Sequence, residues 1–195
     1  MPIKYYDERV MRESGYKHYF GKLGQLILLP ADVNEKPHID VYQFPPTPQR
    51  PYWTLITSGM SDAKQNVPHF YKRFSSGRTE LLIYVKEPQA WMFGFLKELA
   101  LMPFRNKTLL HWNDLHCMSS CPLTESSDFT HLLFISPFFE KYSFLKCFQI
   151  AGEIVDFLWA VPITRLEHQQ CLQNDFPSVM KNIMRNEPPQ VFVKG

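Results

Sequence analysis

Residues 52–62 read YWTLITSGMSD. Aromatic, apolar and β-branched side chains run as far as Thr57, and then Ser58, Gly59, Met60, Ser61 and Asp62 break the pattern. Such a run predicts a strand over 52–57 closed by a turn. Glycine frees the backbone at the strand end, and Ser and Asp close local hydrogen bonds. The hydroxyls also suggest a serine nucleophile. The elbow that presents one needs Gly-x-Ser-x-Gly, so that the tight turn is sterically possible. Ser61 has Gly59 two before it but Ala63 two after, and Ser58 has Ile56 and Met60 there. Seven histidines could supply a base, yet no spacing ties one to either serine. The turn is the better reading. Gly59 is expected to supply backbone freedom, Met60 to fill an apolar gap, and Ser61 and Asp62 to cap the next segment of chain.

Outward from that turn, 38–44 (HIDVYQF) alternates with a period of two and predicts a half-buried strand. The connection 45–51 (PPTPQRP) carries four prolines, which cannot donate to a ladder. Its PxxP spacing would suit an aromatic-grooved domain, but close flanking strands favour a stiff loop. On the other side, 79–85 (TELLIYV) is apolar on both faces and belongs centrally in a sheet. Glu80 inside it must have a partner or face a groove, because an unpaired buried carboxylate costs several kcal/mol, roughly. A structural bond to a neighbouring strand end is preferred there over a general acid or base.

The remaining chain supplies helices and further strands. Residues 4–20 predict a charged helix stopped by Gly21 and Gly24, and 25–29 a short strand. Residues 89–101 predict a helix ended by Pro103, with Trp91, Phe95, Leu96 and Leu99 on its apolar face. A polar loop over 117–128 comes next, then strands at 131–135, 144–150 and 154–163. Thr164 and Glu167 form a capping box that starts a helix over 165–174. A last helix runs from Phe176 to about residue 186, before Glu187-Pro188-Pro189. The sum is a single α/β domain over 1–195, of α+β-like character, with a mixed sheet of six or seven strands covered by helices.

Composition narrows the function. Of 195 residues, 45% are hydrophobic and 21% charged, and the net charge of +2 comes with no basic cluster that would track phosphates. Nucleic-acid binding is not expected. No signal-peptide core and no apolar run of about 18 residues is present, so a cytoplasmic protein with free thiols and no membrane span is expected. Glycine motifs for nucleotides are absent and no cofactor is expected. Glu153 and Asp156, placed on opposite faces of a strand, make no catalytic pair. The best metal candidates are His111, His116, Cys117 and Cys121, whose donors would suit tetrahedral zinc. Adjacent His116 and Cys117 fit that geometry poorly, and a surface loop with reduced thiols is the plainer reading.

Several of these stretches, taken in order, resemble one family. TLITSGMSD (54–62), RTELLIYV (78–85), WMFGFLKELALMPF (91–104) and FLWAVPITRLEHQQCLQ (157–173) look like the successive elements of the suppressor-of-fused-like domain. HIDVYQFPPTPQRPYW (38–53) is similar to the strand and Pro-rich turn of small bacterial members. The similarity spans roughly residues 38–175. It implies a mixed α/β domain like the N-terminal domain of the eukaryotic protein, and a binding protein. Eukaryotic members grip an extended peptide between two domains, and 195 residues leave no room for the second. Small bacterial members resemble immunity proteins of toxin systems, so a toxin is one implied partner. The family-matching positions, as signature or partner-binding candidates, are Thr57, Ser58, Gly59, Met60, Ser61, Asp62, Glu80, Trp91, Pro162 and Glu167. Met60 with Tyr52, Trp53 and Phe70 could instead form an exposed patch, although core is expected for most of them. The competing function is a hydrolase or metal-dependent enzyme built on the Ser58–Asp62 turn, Glu80 or the His111–Cys121 segment. A homodimer using the patch for self-association is a third.

Overall fold

The computed structural model describes residues 3–24, 36–48, 50–112, 114–117, 129–137, 139–141 and 148–185. Their centre is a six-stranded mixed sheet in the order β1-β2-β3-β8-β5-β4. The strands are β1 (Asp40–Phe44), β2 (Trp53–Ser58), β3 (Thr79–Val85), β4 (Leu115–Cys117), β5 (Phe129–Ile135) and β8 (Asp156–Thr164). β3 and β8 pair in parallel and the other neighbours antiparallel. β6 (Gln149–Ile150) and β7 (Glu153–Ile154) form a separate small hairpin.

TELLIYV lies third in the sheet, and all seven of its residues are buried. Alternation sends its side chains to two cores. Leu82 and Tyr84 join one core with Ile56, Trp159 and Val161. Leu81, Ile83 and Val85 join the other with Leu55, Leu158 and Ala160. Helix α1 (Ile3–Phe20) covers the first core through Tyr16 and Phe20. Helices α3 (Arg165–Leu172) and α4 (Phe176–Arg185) close it with Cys171, Val179 and Ile183. Helix α2 (Ala90–Asn106) covers the second core with Met92, Phe93, Leu96, Leu99 and Ala100. The expected mixed sheet covered by helices is thus the observed architecture.

Four details depart from the sequence reading. Pro103 sits inside α2, which continues to Asn106 and closes at Lys107 in the left-handed region. A proline near a helix end loses one backbone bond without forbidding the last turn. The face of α2 in the core is centred on Met92, Phe93 and Leu96, which leaves Trp91 and Phe95 half-buried at its margin. The run 154–163 is divided: β7 ends at Ile154 in the hairpin, and β8 starts at Asp156, whose N–H donates to Arg78 O at 2.8 Å. Glu153 and Asp156 therefore belong to different strands of different sheets. Cys117, expected to open the polar loop over 117–128, instead ends β4; the rest of that loop, the strand expected over 25–29 and residues 144–147 lie outside the described residues.

Candidate functional site

The SGMSD turn follows β2 and faces the start of β3. Gly59 has φ +115°, and a Cβ there would stand 2.1 Å from His38 O. Only glycine satisfies both the dihedral and the close approach. Met60–Asp62 then form a single 3-10 turn with Met60 fully buried in the α2-side core. The hydroxyls and the acid do not cap this turn, contrary to the sequence reading. They bond to residues far away in the chain.

Glu80 organises them. Its side chain is 0% exposed. Oε1 accepts from the Gly59 N–H (3.0 Å), the Ser61 N–H (3.1 Å) and the Ser61 hydroxyl (2.6 Å). Oε2 accepts from the Thr57 hydroxyl at 2.6 Å. Thr57 Oγ1 in turn accepts from the Leu81 N–H at 2.8 Å. Four donors satisfy a buried carboxylate that would otherwise be costly. Glu80 thus ties the turn to the central strand.

The countercharge comes from α1. Arg12, 4% exposed, places Nε 3.6 Å from Glu80 Oε1 and 2.9 Å from Ser58 Oγ, to which it donates. Its Nη1 donates to Asp62 Oδ1 at 2.6 Å and to Ser61 Oγ at 3.3 Å. Burial alone would push the guanidinium down, but Glu80 and Asp62 outweigh it and hold Arg12 above its ordinary value. One turn on, the Tyr16 hydroxyl donates to Thr57 O at 3.0 Å. Burial first, and then the charge of Glu80, push that phenol well above its usual range. A second arginine closes the outer side: Arg78 Nη1 donates to Ser61 O at 2.8 Å, and Arg78 Nε to Glu153 at 2.9 Å.

Sequence reasoning missed Arg12. Its one signal is spacing, since Arg12, Tyr16 and Phe20 fall four apart and share a helix face. Nothing local links residue 12 to residues 58–62.

The other candidates are scattered. Trp91 is half-buried at the start of α2, and its Nε1 donates to Gln89 Oε1 at 2.7 Å. Pro162 pairs with Leu132 in β8, beyond the last β3 partner at Trp159, so its missing N–H interrupts no parallel ladder. Glu167 completes the capping box: the Thr164 N–H donates to Glu167 Oε2 at 2.8 Å, and the Glu167 N–H donates to Thr164 Oγ1 at 3.2 Å. No histidine is among the hydrogen-bond partners of Ser58 or Ser61 in the described residues.

Among the described residues no group of three or more His, Cys, Asp or Glu is placed to hold an ion, and of the four metal candidates only His111 has a described side chain. The His111 ring packs at a tilt against Tyr71 and Trp112, with interplanar angles of 50° and 46°. The side chains of His116 and Cys117, and all of Cys121, lie outside the described residues. Cys171 is a free, buried thiol. No described helix is long and apolar enough to cross a membrane.

The same turn, central strand and capped helix carried the resemblance in the sequence, and they are the framework of the fold. A family profile described as Suppressor of fused protein (SUFU) matches residues 35–194. This chain belongs to the suppressor of fused family. Its fold is similar to the crystal structure of a suppressor of fused homologue from Neisseria gonorrhoeae FA 1090. The TM-score is 0.69 at 17% identity, over 97% of this chain and 96% of that one. It is also similar to a chain of the Sufu-Fu complex, with a TM-score of 0.67 at 16% identity, over 92% and 84% of the two chains. Drosophila Suppressor of Fused gives 0.53 at 18% identity, with 76% of this chain spanning 38% of that one. No curated protein matched the sequence. At these identities the likeness is one of fold. The Sufu-Fu complex is a complex of that relative with another protein.

Proposed function

We propose that this protein is a non-enzymatic binding module that sequesters a protein partner in the cytoplasm, a bacterial toxin being the partner class that suits a small family member. The observation that carries the reading is the fate of the Ser58–Asp62 hydroxyls. Ser61 is 0% exposed, and its Oγ donates to Glu80 and accepts from Arg12. Ser58 is 2% exposed and faces Arg12. A nucleophile needs a free base and an open path to substrate; the carboxylate that Ser61 donates to, Glu80, is held by three other donors and faces Arg12, and both serines are closed off from solvent. Glu80 is saturated with donors, as a structural carboxylate should be. The appearance of a relative in a protein complex supports the same reading.

The test is affinity capture of tagged protein at native levels from its host, with the product of the neighbouring gene co-expressed and the eluate identified by mass spectrometry. One stoichiometric protein partner is expected, and Ser61→Ala should capture it in proportion to the folded fraction. A preparation that yields no protein partner but carries a metal or small molecule would overturn the proposal.

A further inference from the structure

Between the signature turn and β3 lies a segment whose apolar residues point the wrong way for a core. Residues His69–Arg73 form a short 3-10 helix with no buried residue. Phe70 is 75% exposed, Phe74 62%, Trp112 43% and Tyr71 38%. Their rings touch one another. Phe70 meets Tyr71 edge-on at 5.5 Å and Phe74 at 6.3 Å. Tyr71 meets His111 at 4.8 Å, and His111 meets Trp112 at 5.5 Å. Five adjoining rings make a continuous ridge rather than scattered exposed apolar residues.

The ridge stands on a fixed base. Gln65 N–H donates to Gly77 O at 2.9 Å and closes the loop. Ser75 Oγ donates to Asp156 at 3.0 Å. Arg78 ties the loop's end to the carbonyls of Ser61 and Asp62, and Glu153 bridges Arg78 and Lys64. The Glu80–Arg12 network therefore anchors the foot of the ridge. Rigid aromatic side chains on such a base lose little conformational freedom when a partner covers them.

Charge decides what kind of partner fits. His69, Lys72 and Arg73 are interleaved with the rings, and none has a carboxylate partner among the described residues. The chain's net charge is only +2, so this is a local cationic rim and not an extended phosphate track. We propose that the Phe70-Tyr71-Phe74-His111-Trp112 ridge is the docking surface for a partner protein segment that places apolar side chains on the rings and carboxylates against Lys72 and Arg73. This rests on the protein-binding reading above and names the surface it uses.

The experiment uses the full chain and fluorescein-labelled peptides. One 12-residue peptide alternates Glu with Leu and Trp, and its counterpart replaces every Glu with Lys. Anisotropy should show the acidic peptide binding at least ten-fold tighter. Phe70→Ser with Phe74→Ser should weaken it ten-fold or more, and Lys72→Glu with Arg73→Glu should invert the preference. All four side chains are exposed, so thermal melts of both variants should match the parent. Equal binding of the two peptides, or binding indifferent to both double variants, overturns the proposal. So does tighter binding of an oligothymidylate that the charge reversal abolishes, which would make the ridge a stacking surface for single strands. Host capture separates the two levels. A stoichiometric partner retained by the Phe70/Phe74 variant sinks the ridge and leaves the binding reading intact. Absence of any partner for the parent chain sinks the binding reading, while the peptides still decide the ridge.

Discussion

Arg12 Nε stands 3.6 Å from Glu80 Oε1, joining the first helix to the central strand across a site with almost no solvent. A buried pair of this kind is costly to break from one side, because the remaining charge stays buried without its counterion. Glu80→Ala also leaves the Gly59 and Ser61 N–H groups without an acceptor. It should cost about 3–5 kcal/mol in urea unfolding. Arg12→Met combined with Glu80→Ala should cost less than the two single changes summed, with a coupling of about 0.5–3 kcal/mol. A single-variant loss under about 1 kcal/mol would show that the network does not hold the turn.

Two glycines separate steric from conformational demands. Gly59 and Gly152 both have positive φ, but a Cβ at Gly59 meets His38 O at 2.1 Å while one at Gly152 meets nothing within 4 Å. Gly152→Ala should cost about 1–2 kcal/mol, from the left-handed region alone. Gly59→Ala adds a backbone collision and should cost about 3 kcal/mol or more. Similar melting temperatures for the two variants would contradict this account.

Thr164 makes both halves of a capping box with Glu167. Thr164→Ala should cost about 1 kcal/mol, and Thr164→Ser should recover most of it. Far-ultraviolet circular dichroism during chemical unfolding would measure both. No difference between the Ala and Ser variants would remove the cap as a source of stability.

Glu13 introduces a pH dependence. Burial pushes its carboxyl up, but hydrogen bonds from Arg9 and Tyr42 outweigh burial and hold it below the ordinary value of 4.5. The unfolded state therefore binds its proton first as pH falls. The stabilising contribution is complete above about 4.5 and is lost as pH drops through the folded value. Thermal midpoints between pH 7 and pH 3 should fall less steeply in Glu13→Gln than in the parent. Parallel curves would assign the acid sensitivity elsewhere.

Periodicity made much of the fold legible. TELLIYV, apolar on both faces, occupies the third position of the sheet with all seven residues buried. Thr164-x-x-Glu167 marks the helix that it caps. These signals are local, carried by neighbours within a turn or two of each other. The helical turn beyond Pro103 and the break at Val155 are not legible in that way, because each depends on what the next residues pack against. Val155 is buried against the core, and its N–H donates to Phe148 O at 3.0 Å.

The turn itself divides between the two levels. The sequence alone determined that SGMSD ends a strand, that Glu80 needs a partner, and that no Gly-x-Ser-x-Gly elbow is present. Tertiary structure alone decided that the partners are Thr57, Gly59, Ser61 and Arg12, all distant from Glu80 along the chain. It also decided that Met60 is buried while Phe70 is exposed. Phe and Met have the same apolar appetite wherever they occur, so composition cannot say which side of a surface they end on. That depends on whether other elements close around them: Met60 is enclosed in the core shared by the sheet and α2, whereas Phe70 is left 75% exposed.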